Sequence, residues 1–154
     1  MSVISEDLDL FKNEIQGKEQ LIGIDFGIKK IGVAITSPSG SMAIPLCMLI
    51  NNDYIFDNIK KIILQHNITG CVVGIPVNMD GSFSESTVRA KNFALKLASV
   101  MHMPVLLQDE RRTSKAANNL LAIAGYNRKQ RDALDDSIAA SLILESAISR
   151  IKAK

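Results

Sequence analysis

The feature that most constrains this chain is an apolar hairpin pattern that carries a carboxylate. Two apolar runs, residues 21–26 and 31–36, flank a short turn containing Gly27 and two lysines. Each run is typical of a β-strand, and the turn is typical of a hairpin. Asp25 lies inside the first run, where an unpaired charge would be costly to remove from water. The pattern therefore predicts a strand whose carboxylate has a partner, and a divalent cation is a suitable one.

The rest of the chain alternates between helical and strand patterns. Short apolar runs predict further strands at about 42–50, 70–75 and 104–109, and Pro45 favours an edge position for the first of them. Helical periodicity and capping residues predict helices at about 53–66, 82–101, 113–124 and 132–151. Ser82 and Glu85 have the spacing of a capping box. Hairpin strands followed by alternating elements predict an α/β fold, a mixed sheet with helices on both faces.

The length predicts one domain preceded by a short extension. At 154 residues the chain can bury a sizeable core of its own. Residues 20–151 carry the alternating pattern and are predicted to form this domain. Within residues 1–19, Leu8, Phe11 and Ile15 have helical spacing, so we expect a short helix that packs on the domain.

Composition restricts the compartment. No apolar run reaches the roughly 18 residues that a membrane span needs, and the acidic N-terminus lacks the pattern of a secretory signal. Cys47 and Cys71 both lie in apolar runs, which indicates core thiols in a reducing environment rather than a disulfide. We therefore expect a cytoplasmic protein that has no membrane segment.

The charge is unevenly distributed along the chain. Residues 82–131 contain nine Lys and Arg residues and three acids, whereas the whole chain has a net charge of only +2. A basic region is typical of proteins that bind a polyanion such as nucleic acid. Exposed helices also carry many Lys and Arg residues, so charge alone leaves the partner open.

Three acidic residues lie on or next to the predicted strands and the last helix, at positions where an α/β sheet commonly binds its ligands. Asp25 is on the first strand, Glu110 follows the strand at 104–109, and Asp136 is near the start of the last helix. Carboxylates without a thiol or imidazole beside them favour hard cations such as Mg²⁺ or Mn²⁺. They converge if the first strand is central and its neighbour carries Glu110. Asp136 could instead serve only the positive end of its helix.

Four segments resemble the YqgF/RuvX family, relatives of the RuvC-type Holliday-junction resolvases with an RNase H fold. The segments are residues 22–36, 72–82, 109–114 and 134–144, in the family's order. The resemblance implies an RNase H-like fold with a five-stranded sheet in which strand two is antiparallel to the rest. It also implies that Asp25, Glu110 and Asp136 are the acidic triad, holding two Mg²⁺ or Mn²⁺ ions.

The resemblance implies a metal-dependent nuclease that trims the 5′ end of pre-16S ribosomal RNA during ribosome biogenesis. Its partners would be the precursor RNA or a ribosomal subunit precursor, and the protein could be a monomer or a homodimer. One alternative is cleavage of DNA Holliday junctions, which would need a two-fold dimer. Another is an RNA-binding factor without catalysis. A phosphate-binding hairpin of the actin-like ATPases is disfavoured because those proteins need two such domains.

The basic residues around the triad are the predicted phosphate contacts, namely Lys29, Lys30, Arg89 and Arg111. RuvC-type sites generally hold a fourth carboxylate. Asp132, four residues before Asp136, could share its helix face and supply it.

Overall fold

The hairpin around Asp25 forms the middle of a mixed β-sheet. The computed structural model describes residues 4–5, 7–15, 20–78, 80–110 and 128–152, with the side chains of 4–5 and 128–136 outside this description. Its strands are β1 (Ile4–Ser5), β2 (Leu21–Asp25), β3 (Lys30–Thr36), β4 (Ala43–Ile50), β5 (Gly70–Ile75) and β6 (Val105–Asp109). Its helices are α1 (Leu8–Ile15), α2 (Ile55–Gln65), α3 (Glu85–Met101) and α4 (Arg128–Lys152).

The sheet has the order β1-β6-β5-β2-β3-β4. β2 pairs antiparallel with β3 and parallel with β5, and β5 pairs parallel with β6. The five predicted strands are therefore confirmed. The second of them, which is β3 here, is antiparallel to both of its neighbours, as expected. The strand that precedes Glu110, β6, is not the neighbour of β2 that the sequence analysis considered, because β5 lies between them. The carboxylates of Asp25 and Glu110 must therefore meet across an intervening strand.

The two edges of the sheet differ from its centre. β4 is an edge strand, as Pro45 predicts, and its register against β3 shifts between Val33 and Ala34. At the other edge, the two-residue strand β1 pairs parallel with β6 and makes the sheet six-stranded. The sequence pattern did not predict this sixth strand, since two residues are too few to show an alternation.

Helices cover both faces of the sheet, as predicted. One core lies under α2 and α3 and contains Ile59, Phe93 and Leu97 with the inward side chains of the strands. The other core lies under α1 and α4 and contains Phe11, Leu144 and Ile148. β5 is buried along its whole length because side chains on both of its faces are covered.

The N-terminal helix α1 is part of the second core. Phe11 and Ile15 are buried on it, as the spacing predicts. A Cβ on Gly70 would lie 2.9 Å from both Phe11 Cζ and Ile15 Cγ2. This close approach seats α1 on the first residue of β5, so residues before the predicted domain boundary contribute to the same core.

Two helix details differ from the prediction or lie outside the described residues. The cap of α3 is Ser84 with Thr87, not Ser82 with Glu85: the Ser84 hydroxyl accepts from the Thr87 amide, and Thr87 Oγ1 accepts from the Ser84 amide. Ser82 instead bonds the Asp80 carboxylate in the preceding turn. The helix predicted at 113–124 lies outside the described residues. Among the residues that are described, no helix is both long and apolar enough to cross a membrane.

Candidate active site

The turn after Asp25 is held in one conformation by local contacts. Asp25 is the last residue of β2, and Lys30 begins β3. A Cβ on Gly27 would collide with the carbonyl oxygen of Lys30, so glycine is required there. Asn51 closes the turn from β4: its side-chain amide donates to Gly27 O at 2.9 Å and its backbone N–H donates to Lys29 O at 2.9 Å. The end of β2 is therefore a rigid support for the Asp25 carboxylate.

Glu110 reaches Asp25 across β5. The Glu110 amide donates to Ile75 O at 3.2 Å, which fixes the backbone just after β6. Its side chain is hydrogen-bonded to that of Asp25. Asp25 pairs in register with Gly74 on the intervening strand, and a Cβ on Gly74 would lie 2.7 Å from Glu110 Oε2. The missing side chain at Gly74 thus leaves the space in which the two carboxyl groups meet.

The electrostatics of the pair favour a shared positive partner. Burial, the charge and hydrogen bond of Asp25, and the charge of Asp109 together raise the pKa of Glu110 from 4.5 to about 9. Without a cation, the Asp25–Glu110 pair therefore keeps one proton at neutral pH. A divalent cation would replace this proton, because two adjacent carboxylates are stable in ionised form when positive charge lies between them.

The last helix, α4, packs directly against β2, the strand that carries Asp25. A Cβ on Gly23 would lie 2.7 Å from Leu144 Cβ and 2.9 Å from Ala140 O, so α4 lies directly on β2. Ile148 and Ile151 lie near Leu21, at the opposite end of that strand from Asp25. The helix therefore runs antiparallel to β2, and its N-terminal part lies toward the Asp25 end.

For Asp136 and Asp132, only the position of the backbone on α4 is described. Both residues belong to α4, and Asp136 precedes Ala140 by one turn, or about 6 Å along the axis. Its position on α4 is thus toward the end of the helix nearer Asp25. The side chains of both residues lie outside the described part of the chain. Among described side chains, no group of three or more His, Cys, Asp or Glu residues forms a metal site.

The predicted phosphate contacts are distributed around this end of the sheet. Lys29 and Lys30 are exposed on the hairpin that follows Asp25. Arg89 lines a small cavity with Phe26, Gly27 and Pro76, and it pairs with Glu85 at 2.5 Å on the surface of α3. Three of the four predicted basic residues therefore lie near the end of β2 that carries Asp25. Arg111 lies outside the described residues.

Sequence reasoning missed three residues that position the site. Gly74 lies in a run that predicts a strand, and its lack of a side chain matters only once β5 is placed between β2 and β6. Asn51, which follows β4, holds the hairpin turn through Gly27 O, and no local pattern indicates this contact. Gln108 joins β6 to α4: its amide donates to Ser146 Oγ at 3.1 Å, and its carbonyl accepts from Arg150. The signal for Gln108 is a polar residue in an apolar strand, as it is for Asp25.

Comparisons with known proteins agree with this architecture. The family model described as "RuvX: Holliday junction resolvase" matches residues 19–150. A protein of Orientia tsutsugamushi named "Putative pre-16S rRNA nuclease" is 46% identical over 137 residues, 88% of this chain and 87% of its own. A Rickettsia peacockii protein of the same name is 39% identical over 152 residues, 97% of this chain and 99% of its own. The Rickettsia alignment therefore extends into the first nineteen residues.

Solved structures share the fold at low sequence identity. Thermus thermophilus RuvC, in complex with a Holliday junction substrate, has a TM-score of 0.54 at 16% identity, covering 86% of this chain and 96% of its own. The fowlpox virus resolvase in complex with Holliday junction DNA has a TM-score of 0.53 at 13% identity, covering 86% and 98%. These two structures confirm the RNase H-like, resolvase-type fold. The match of the family model over most of the chain, together with the two bacterial relatives, shows that the chain belongs to the RuvX family.

Proposed function

We propose that this protein is a metal-dependent nuclease that processes the 5′ end of pre-16S rRNA. The observation that carries the proposal is the contact between the Asp25 and Glu110 carboxyl groups at one edge of the sheet. The names of the bacterial relatives support the substrate, and membership of the RuvX family supports nucleolytic chemistry. A nuclease with this substrate would act in the cytoplasm, where ribosomal precursors are assembled.

The carboxylates are proposed to hold two Mg²⁺ or Mn²⁺ ions. The donor atoms are all oxygens, which hard divalent cations prefer. The raised pKa of Glu110 means that a proton occupies the pair at neutral pH, and a bound cation would displace it. Asp25, Glu110 and Asp136 would hold the ions, and Asp132 is the candidate for a fourth ligand. When bound, such ions supply a hydroxide nucleophile near neutral pH and neutralise charge on the scissile phosphate.

The protein's own groups orient the substrate. Lys29 and Lys30, exposed beside Asp25, and Arg89 are proposed to hold phosphates of the RNA backbone without reading sequence. Arg111 would add a further contact. The rigid hairpin, fastened by Asn51, keeps the Asp25 carboxylate in place so that little reorganisation is needed when the phosphodiester arrives.

Holliday-junction cleavage is the second candidate, and the description of the family model favours it. The same carboxylates would perform it, but two symmetric cuts require a two-fold dimer. Analytical ultracentrifugation with and without a junction distinguishes the two candidates. A protein that stays monomeric on the junction and leaves it intact would eliminate this one.

The test of the proposed function is cleavage of a precursor RNA that spans the 5′ end of 16S rRNA, in Mg²⁺, in Mn²⁺ and in EDTA. Wild type should cleave in the presence of either ion and be inactive in EDTA. Asp25→Asn should lower the rate at least about a hundredfold, since it removes a charged ligand proposed to hold the ions.

The matched control is Asp53→Asn, which changes one exposed carboxylate in the loop before α2. Its cleavage rate should equal that of wild type. Cleavage by Asp25→Asn at the wild-type rate would refute the assignment, and unchanged folding of both variants should be checked by circular dichroism.

A further inference from the structure

A cavity lies beside the candidate active site, on the α3 side of the sheet. It has a volume of about 280 Å³, and its lining includes Val77, Phe83, Lys91, Leu107, Asp109 and Arg150. Asp109 lines the cavity, and Glu110, the next residue, contacts Asp25. Successive side chains of a strand point to opposite faces, and a Cβ on Gly74 would approach both Glu110 Oε2 and Ile143 of α4. The cavity and the carboxylate pair therefore lie on opposite sides of the same strand end.

Phe83 is an unusual residue in this lining. It is 59% exposed, whereas the other four phenylalanines are buried or partly buried in the cores. Lys91 Nζ lies 4.1 Å from the centre of its ring, so a cation already covers part of the aromatic surface. An exposed ring with a cation beside it is the kind of surface on which nucleic-acid bases stack.

The loop that carries Phe83 is ordered by hydrogen bonds. The backbone N–H of Asn78 donates to Ser82 O at 3.0 Å, and the backbone N–H of Gly81 donates to Asn78 O at 2.8 Å. Gly81 has a φ of 87°, a conformation that favours glycine. Immediately after Phe83, Ser84 caps α3. The ring is therefore presented between a closed turn and a helix start, and its position costs little entropy when a ligand binds.

The polar groups in the lining indicate a nucleobase rather than a phosphate. Lys91 and Arg150 supply positive charge, but the Asp109 carboxylate is in the same cavity and would repel an anion. The flat face of a base matches the apolar surface of Val77 and Leu107, and its polar, uncharged edge suits a lining of mixed charge. This mixed lining therefore favours a base over a second phosphate site.

We propose that this cavity binds a nucleobase of the substrate strand, on the other side of the strand end from the phosphate that is cleaved, with Phe83 as the stacking platform. The proposal rests on the nuclease function proposed above. It implies that the substrate is single-stranded on one side of the cleavage position, because a paired base cannot enter the cavity. Phe83 would thus be a substrate-positioning residue that acts apart from the carboxylates.

The experiment uses the full chain in EDTA with single-stranded RNA oligonucleotides that carry 2-aminopurine at successive positions. Wild type should quench 2-aminopurine at one position, and Phe83→Ala should lose this quenching and bind about 5- to 100-fold more weakly, as expected for one stacked base. Phe83→Trp should retain both properties. Phe83→Leu keeps an apolar side chain in the lining of the cavity but removes the ring, so it should behave like Phe83→Ala. Tyr54→Ala, at an exposed aromatic residue before α2, is the control and should match wild type.

The outcomes separate this proposal from the proposed function. If wild type cleaves the precursor RNA but Phe83→Leu equals it in affinity and quenching, the cavity is not a base site and the nuclease function stands. If binding and quenching depend on Phe83 but no variant cleaves RNA, the base site stands and the nuclease function fails. If wild type quenches no position and binds no RNA, the base site is refuted.

Discussion

Gly74 is the residue that lets Glu110 reach Asp25: a Cβ at Gly74 would lie 2.7 Å from Glu110 Oε2 and would also collide with Ile143 Cδ1. Gly74→Ala should therefore have two separable effects. The collision with Ile143 destabilises the fold, and the displaced Glu110 carboxylate weakens cation binding. We expect weaker binding of Mn²⁺, measured by calorimetry, and a lower cleavage rate.

The double variant Gly74→Ala/Ile143→Val separates these effects, since valine lacks the Cδ1 atom that collides. It should recover much of the lost free energy of unfolding while the Mn²⁺ affinity stays low. If the affinity recovered together with the stability, the space at Gly74 would matter for packing alone.

The stability of the metal-free protein should decrease as the pH rises. Burial first, and then the neighbouring Asp25, raise the pKa of Glu110 from 4.5 to about 9 in the fold, so the folded protein keeps a proton that the unfolded chain releases. The stabilisation is complete below about pH 4.5 and is lost progressively as the pH approaches 9. Thermal unfolding in EDTA across this range measures it.

Glu110→Gln should remove most of that decrease, because glutamine does not titrate. Added Mn²⁺ should reduce it in wild type, since the cation replaces the proton. Equal pH profiles for wild type and Glu110→Gln would show that Glu110 is not the titrating group.

The N-terminal helix should contribute strongly to stability. Phe11 is fully buried against Gly70 and the second core, and truncation of such a side chain costs about 3–5 kcal/mol. We expect Phe11→Ala to lower the free energy of unfolding in urea by this amount. Leu10→Ala, at a neighbouring position that is 51% exposed, should change it by less than about 0.5 kcal/mol.

Both cysteines should react slowly in the native state. Burial raises the pKa of Cys71 to about 12 and raises that of Cys47 as well, so little reactive thiolate forms near pH 8. Alkylation followed by mass spectrometry should modify Cys71 only after denaturant is added, and Cys47, which is partly exposed, should react first. Fast native modification of Cys71 would contradict its burial.

The two hairpin lysines should contribute to the salt dependence of RNA binding. Each phosphate contact that is lost lowers the slope of log K against log salt by about 0.7 for single strands, so Lys29→Gln/Lys30→Gln should reduce it by about 1.4. Lys60→Gln/Lys61→Gln, a matched pair of exposed lysines on α2, should leave the slope unchanged. Equal slopes for the two double variants would remove the hairpin lysines from the proposed interface.

Local patterns in the sequence were enough to locate most of the elements. The hairpin strands, β5, β6 and the helices at α2 and α3 lie within a few residues of the predicted ranges, because side-chain periodicity and turn residues act over short stretches. The sequence also predicts a functional role for Asp25, since an ionisable group that interrupts an apolar strand has few structural explanations.

The order of the strands was decided by packing between distant segments. The sequence indicated a sheet but placed Glu110 on the strand beside Asp25, whereas β5 lies between them. Strand order depends on which faces the helices cover and on the β1–β6 pairing, and no local pattern encodes either. The cap at Ser84 was missed for a similar reason: Thr87 Oγ1 also donates to Pro76 O, across the loop, and this contact selects it over Glu85.

By itself, then, the sequence determined which runs become strands and which carboxylates are candidates for a site, because hydrophobic periodicity and the cost of burying charge are local properties. The tertiary structure decided which of those residues meet. It placed Gly74 between Asp25 and Glu110, raised the pKa of Glu110 by burial, and put Phe83 beside the end of β6. These relationships depend on contacts between segments far apart in the chain, and they exist only once the sheet has formed.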